Sequence, residues 1–291
     1  MKISKVKITT ICENTTAGAH LLGEWGLSFL IETKELKIIF DTGAGRTLIH
    51  NAAVMGIDLS DIDMIILSHG HYDHTGGLKP LLETIQHQNP GKKIKIYSHP
   101  DVYLPKFTKD KNNVYFHRGN PYVAEELKSW GAEFAPETGA INITENIIIS
   151  EEIPRTNNFE HIAEKFFYKN KSEDIVPDPF TDEKALYIKT EEGLIVASGC
   201  AHRGIINTIK HGQQLTGLEN ILLVAGGTHL ADASNNQLYQ TIEELKNLNV
   251  NKLGVSHCTG LKQASKLFET FGEDTFFHNN AGTSIEFSLK G

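Results

Sequence analysis

Cysteine is scarce in this 291-residue chain, with three in all, at Cys12, Cys200 and Cys258. So low and odd a count excludes a disulfide framework and fits a reducing compartment. Long apolar runs are missing too, and none approaches the roughly 18 residues that a membrane-spanning helix needs. The start, MKISKVKITTICENTTAG, has basic residues but no apolar stretch of the kind a secretory leader carries. A cytoplasmic protein without a membrane partner is therefore expected. Positive charge is in deficit, with 28 basic against 36 acidic residues and a net charge of −8. Nucleic acids and anionic membranes are held by positive charge that displaces counterions, so nucleic acid is not an expected partner. Arginine occurs only at positions 46, 118, 155 and 203. Internal repeats and low-complexity segments are absent. What the chain does have in number is histidine, 14 in all.

Short β-branched runs, each the length and composition of a strand, recur at 5–11, 27–32, 36–40, 63–68, 93–98 and 146–150, and again at 185–190, 194–198, 220–225, 252–256 and 283–288. Apolar residues at three- and four-residue spacing predict helices at 78–88, 123–131, 204–215, 236–248 and 261–272. Strands dominate the first 70 residues and alternate with helices afterwards, which predicts an α/β layered fold. The stretch 151–184 has weak periodicity, three prolines and scattered aromatics. It reads either as a solvated connector or, given Phe159, Phe166, Phe167, Tyr168 and Phe180, as a packed cover over a binding site.

Four potential metal ligands fall within SHGHYDHTGG, directly after the apolar run DMIILS: His69, His71, Asp73 and His74. Imidazole nitrogens with a carboxylate suit a borderline-soft divalent cation. Ser68, Gly70, Thr75, Gly76 and Gly77 are small enough to let the loop coil, so that His69 and His71 converge on one ion while Asp73 and His74 turn to a second. Leaving four such groups buried without an ion would strand several of them unsatisfied.

The His-x-His-x-Asp-His pattern after an apolar strand resembles the signature of the metallo-β-lactamase superfamily, and FDTG at 40–43 resembles its Asp-containing turn. The resemblance implies a four-layer αββα sandwich and one domain over residues 1–291, with a partly irregular cover at roughly 100–184. It also implies a site for two divalent metal ions, zinc first and manganese or iron as the alternatives, in which Asp41 braces the metal loop and His257, in KLGVSH, is the last ligand. The chain departs from the usual pattern in lacking both a Gly-His-Thr-like ligand loop and a bridging aspartate. His202, at the end of LIVASGCAH, is the expected replacement ligand, with Cys200 as a possible bridging thiolate. Together HGHYDHTGGL, SGCAHRGIINT, GGTHL and SHCTG resemble a branch that includes an archaeal synthase joining a dihydropterin to a ribosylated aminobenzene phosphate.

The expected chemistry is that of a metal-dependent hydrolase, or a transferase using the same site, acting on a small anionic molecule, with phosphorylated ones among the candidates. A bound divalent ion brings the pKa of its water down to roughly 7 and so supplies a hydroxide nucleophile. Asp73 is then the candidate to orient that nucleophile or carry a proton, and His229, at the end of ILLVAGGTH, is the candidate general acid or oxyanion partner. Arg203 follows His202, and Arg155 opens the suspected cover; guanidinium grips phosphate or carboxylate bidentately, so both are candidate substrate anchors. Two other readings stand beside this one: a metal-stabilised binding or sensor module without turnover, and a ribonuclease Z-like phosphodiesterase, which the negative charge disfavours.

Overall fold

In the computed structural model, which describes residues 5–288, neighbouring residues of a single strand belong to different cores. Ile38, Phe40 and Ile66 join Ile147, Ile149, Leu186, Ile188, Ile195 and Ala197 in one buried cluster. Their neighbours Ile39 and Ile65 instead join Leu81, Leu82 and Ile85 of the helix Leu78–Gln88. On the other side, Tyr187, Val196 and Val224 join Ile205, Ile206 and Ile209 of the helix Ile205–Thr216. Successive side chains leave opposite faces of a strand. These strands are therefore buried on both faces, which is why their sequences are almost continuously apolar. Helix, sheet, sheet, helix is the αββα sandwich.

The first sheet has seven strands, in the order Ser284–Ser288, Lys5–Cys12, Ser28–Thr33, Lys37–Phe40, Met64–Ile66, Ile94–Ser98 and Ala132–Pro136. The second also has seven: Phe276–His278, Lys252–Ser256, Ile221–Gly227, Leu194–Ser198, Ala185–Lys189, Ile147–Ile149 and Ile141–Asn142. Leu194–Ser198, Ile221–Gly227 and Lys252–Ser256 run parallel, with Ser198 paired to Gly226 and Gly227 to Ser256. Their carboxyl ends therefore emerge side by side, where open α/β sheets place their sites. Gly199 lets the two sheets meet there, because a Cβ on it would lie 2.1 Å from Ser68 Oγ.

Within the stretch at roughly 100–184, expected to be partly irregular, lies a sheet that the sequence pattern did not reveal. Lys106–Lys109, Tyr115–His117, Phe166–Lys169 and Ile175–Pro177 pair antiparallel as a third, four-stranded sheet. Its strands have three or four residues each, two of them mix lysine with aromatics, and its two hairpins join across a long separation, where Phe166 pairs with Thr108. Such strands leave no period-2 signal of useful length. The helix Leu48–Val54 and the strand Ala132–Pro136 also went unforeseen. Among the described residues no helix is long and apolar enough to cross a membrane.

Candidate metal centre

The loop after Met64–Ile66 is fixed from beneath by Asp41. Its carboxylate accepts the backbone N–H of Ser68 at 2.7 Å and the Ser68 hydroxyl at 2.6 Å, and pairs with His74 Nδ1 at 2.6 Å. Asp41 itself sits in the left-handed backbone region (φ 58°), which Asp tolerates better than most residues. The Ser68 hydroxyl also lies 2.9 Å from His69 Nδ1. With both Nδ1 atoms engaged, the Nε2 atoms of His69 and His74 turn inward, the former 3.1 Å from His71 Nδ1 and the latter 3.2 Å from Cys200 Sγ. The short helix Tyr72–Thr75 then carries Asp73 round to His257, whose Nε2 is 3.3 Å from Asp73 Oδ2.

The opposite wall comes from the second sheet. Its loops are held by groups that capture backbone rather than side chains. Glu183 accepts the backbone N–H groups of His202 and Arg203, at 2.6 and 2.7 Å. Glu13 accepts that of His257, and Cys258 Sγ that of His229. Ala201, His229 and His257 all have positive φ, between 49° and 54°, a strained conformation that accumulates at functional sites. The His202 ring stacks on Phe180 with centroids 3.8 Å apart, and lies 4.2 Å from the ring of His229. Asn14 Oδ1 holds His257 Nδ1 at 2.8 Å.

Five donor groups result, each with its ligand atoms within 4.8 Å of one another. His69, His71 and His202 form one, and Asp73, His74 and His257 another. Cys200 belongs to the remaining three, with His69 and His74, with His257 and Cys258, and with His202 and His229. Both groups weighed for the missing ligand position therefore reach the cluster, His202 at one end and Cys200 at its centre.

Burial, reinforced by the neighbouring imidazoles, holds His69 and His202 well below the usual histidine pKa. Burial also takes His71 down to about 3, against the pull of the Asp73 charge. These imidazoles are neutral, the state that ligates metal. Burial acts the same way on His74, but the charge and hydrogen bond of Asp41 outweigh it and hold that ring up to about 9. The Asp73 carboxyl stays well below its usual range despite burial, through its hydrogen bond to His257 and the charges of His74 and His257. His71 Nε2 and both ring nitrogens of His202 and of His229 are buried without a hydrogen-bond partner. Each would cost about 1–3 kcal/mol if left so. A donor set of imidazole, carboxylate and thiol around such orphaned atoms fits a divalent cation.

A family model described as the metallo-beta-lactamase superfamily matches residues 26–205. The chain belongs to that superfamily. It is similar to the 7,8-dihydropterin-6-methyl-4-(β-D-ribofuranosyl)-aminobenzene-5′-phosphate synthase of Methanocaldococcus jannaschii, at 34% identity over 98% of each chain. It is 30% identical to another protein of that organism, MJ0448, over 94% of this chain and 98% of the other. Among solved structures it is similar to Tm1679, described as a metal-dependent hydrolase of the β-lactamase superfamily. That match has a TM-score of 0.81 and 25% identity over 97% of this chain and 99% of the other. The chain is thus a metal-dependent enzyme of the metallo-β-lactamase superfamily, and its His, Asp and Cys side chains gather in groups that could hold a metal ion.

The structure does not bring Arg203 and Arg155, the two expected substrate anchors, to the cavity. Arg203 turns into the protein, with Nη1 donating to the Pro179 carbonyl at 2.8 Å and pairing with Glu152 at 2.9 Å. Arg155 donates to the Glu160 carbonyl at 3.3 Å. Neither lines the cavity of about 670 Å³ that opens over the metal ligands. The reason is local. Glu183 captures the Arg203 backbone and points its side chain away, while Arg155 lies where the chain folds over the N-terminus of Ile205–Thr216. His229 does line the cavity.

Sequence reading missed Glu13, Asn14, Glu183 and Cys258. Cys258 directly follows His257 and carried a signal through that position, whereas the others lie far along the chain with none. It also missed Lys106, buried with its ammonium 2.7 Å from Asp178 and 2.9 Å from Asp182. Asp182 in turn accepts the N–H of Gly70 at 2.8 Å, so this triad joins the third sheet to the metal loop.

Proposed function

We propose that this enzyme joins two small molecules at a two-ion centre: a dihydropterin activated as an ester at its 6-methylene carbon, and a phosphorylated ribosylaminobenzene. The observation that carries this reading is the match to the named synthase across 98% of both chains. The product named for that relative has the arylamine nitrogen bonded to the methylene, so nitrogen forms the new bond as the ester oxygen leaves. When bound, divalent ions at these donors supply Lewis-acid stabilisation of anionic oxygens and lower the pKa of water. His69, His71 and His202 would hold one ion, Asp73, His74 and His257 the other, with Cys200 between them. Two thiols among the nearby donors favour zinc over manganese. His229, whose ring nitrogens are unpartnered on the cavity wall, is placed to take the proton that the arylamine sheds.

This reading puts the protein in the cytoplasm, where its three free thiols stay reduced, and gives it a small anionic substrate rather than nucleic acid. A second reading is hydrolysis of a small phosphorylated ester at the same centre, favoured by the likeness to Tm1679. Mass spectrometry of the metal-loaded protein with both partners decides. The coupled product supports the synthase, and release of the hydroxymethyl pterin alone supports the hydrolase. If two ions bind but no pterin ester, thioester, lactone or phosphodiester is turned over, the protein is a binding module.

A further inference from the structure

The third sheet presents one arginine to the cavity. Pairing of Thr108 with Phe116 and of Phe166 with Thr108 puts these three side chains on one face, and that face lines the cavity. The ladder runs one residue further, because Arg118 N–H donates to the Lys106 carbonyl at 2.7 Å. Alternation then sets Arg118 on the same face as Phe116. Lys109 also lines the cavity but alternates to the other face of its strand, with its ammonium 5.5 Å from the rings of Tyr115 and Phe167.

Arg118 is also locked to the metal loop. Its carbonyl accepts the N–H of Tyr72, which sits between His71 and Asp73, at 2.8 Å, and the next residue, Gly119, bridges to His71. The side chain is oriented but not neutralised. Nε donates to Thr108 Oγ1 at 3.1 Å, and the guanidinium carbon lies 5.9 Å from the rings of both Tyr72 and Phe116. Among the described residues no carboxylate forms an ion pair with it. The three acids at the cavity are engaged elsewhere, Asp73 by His257, Asp232 by Lys165 and Asp110 by the backbone of Asn112 and Val114. A planar cation with its terminal N–H groups free, held between aromatic rings, matches a phosphate bidentately.

Aromatic surface accompanies it. Trp25 is 56% exposed and Phe116 46%, at the mouth of a cavity that Phe166 lines deeper in, 5.0 Å from the His202 ring. Rings of this size left in water mark a surface that receives a ligand. We propose that Arg118 is the specificity-determining residue that binds the phosphate of a substrate whose planar ring lies among Trp25, Phe116 and Phe166. This rests on the reading above that the substrate is a phosphorylated aromatic.

The test is calorimetric titration of phenylphosphonate, which hydrolysis cannot consume, into the metal-loaded protein in a phosphate-free buffer. Arg118→Ala is expected to bind about ten- to a hundred-fold more weakly, with its metal content unchanged. Arg118→Lys, which keeps the charge but loses the fork, should fall in between. Binding of Arg118→Ala within twofold of wild type overturns the proposal, since the phosphonate would then be held by the metal centre alone. Should Arg118→Ala not fold, Arg118→Lys decides: weakening of about threefold or more supports the fork, and unchanged binding removes it. The outcome is separate from that of the synthase assay. Lost phosphonate binding without coupling turnover leaves Arg118 an anion site in an enzyme of other function. Coupling turnover with an unaffected Arg118→Ala leaves the synthase and removes the anchor.

Discussion

On the first sheet, one side chain braces the metal loop through other side chains: Asp41 holds Ser68 and His74 directly. On the second sheet, the loops bearing His202 and His257 hang from carboxylates that capture backbone N–H groups, and their residues take left-handed conformations. Side-chain bracing fixes where a donor atom points, while backbone capture fixes the loop and leaves the ring to be positioned by its neighbours. Both His74 Nδ1 and His257 Nδ1 have partners, whereas His202 and His229 have none on either nitrogen. The brace of His74 and the hold on His257 are therefore built in, whereas the rings of His202 and His229 depend on what they bind.

The largest test of that contrast is metal removal. Ligation would add to the bonds that Glu13, Asn14 and Asp182 already make between the walls, so stripping the ions should cost stability by RT ln(1 + [L]/Kd). That is about 4 kcal/mol where free metal had been ~1,000 times its Kd. Thermal unfolding with and without chelator measures it, and an unchanged midpoint would show that the donors hold no ion. Hydrogen exchange should at the same time rise more in residues 199–203 than in 67–75.

Asp41→Ala comes next. It strips partners from Ser68 and His74 at fully buried positions, at a cost of about 3 kcal/mol. Both ions should weaken, because His69 and His74 serve different donor groups. Denaturant titration and elemental analysis report the two effects. Retention of full metal content would mean that the loop holds its shape without its brace.

The same contrast explains what could be read in advance. The first wall is nearly contiguous: four ligands lie within six positions, and the brace sits in a short turn after a strand. The strand ends that deliver His202, His229 and His257 were legible too, because strands buried on both faces carry unbroken apolar runs. What holds those histidines was not. Glu183 lies 19 residues before His202, and Glu13 lies 244 before His257. A lone glutamate beside a strand looks the same whether it faces water or caps a buried loop. Arg118 was hidden for a related reason, since only the pairing of strands of three and four residues, too short to show alternation, decides which face it occupies.

Glu183→Ala sharpens the comparison from the other side. It leaves two buried N–H groups unpaired, at about 2 kcal/mol, and should loosen the ion at His69, His71 and His202 before the one at Asp73, His74 and His257. The wild-type residue also predicts a pH slope in the metal-free protein. Burial holds its carboxyl up to about 7, from an ordinary value of 4.5, against hydrogen bonds from Arg203 and His202. The folded state therefore keeps a proton that the unfolded state has released across that interval. Stability falls as pH rises from 4.5 towards 7, and Glu183→Gln should flatten the slope. A slope of the same size in Glu183→Gln would assign it to another group.

Smallest of all should be the effects of Arg203→Ala and Arg155→Ala on substrate. Arg203 has one hydrogen bond to a carbonyl and one ion pair with Glu152, which is 49% exposed, so its loss costs about 1 kcal/mol of stability. Arg155 has a single long hydrogen bond, and its removal should stay within ~0.5 kcal/mol. Neither reaches the cavity, so KM for a phosphorylated substrate should remain within about twofold of wild type in both variants. If Arg203→Ala raised KM tenfold without changing kcat, the ion pair with Glu152 would have to open on binding. The second wall would then move where the first does not.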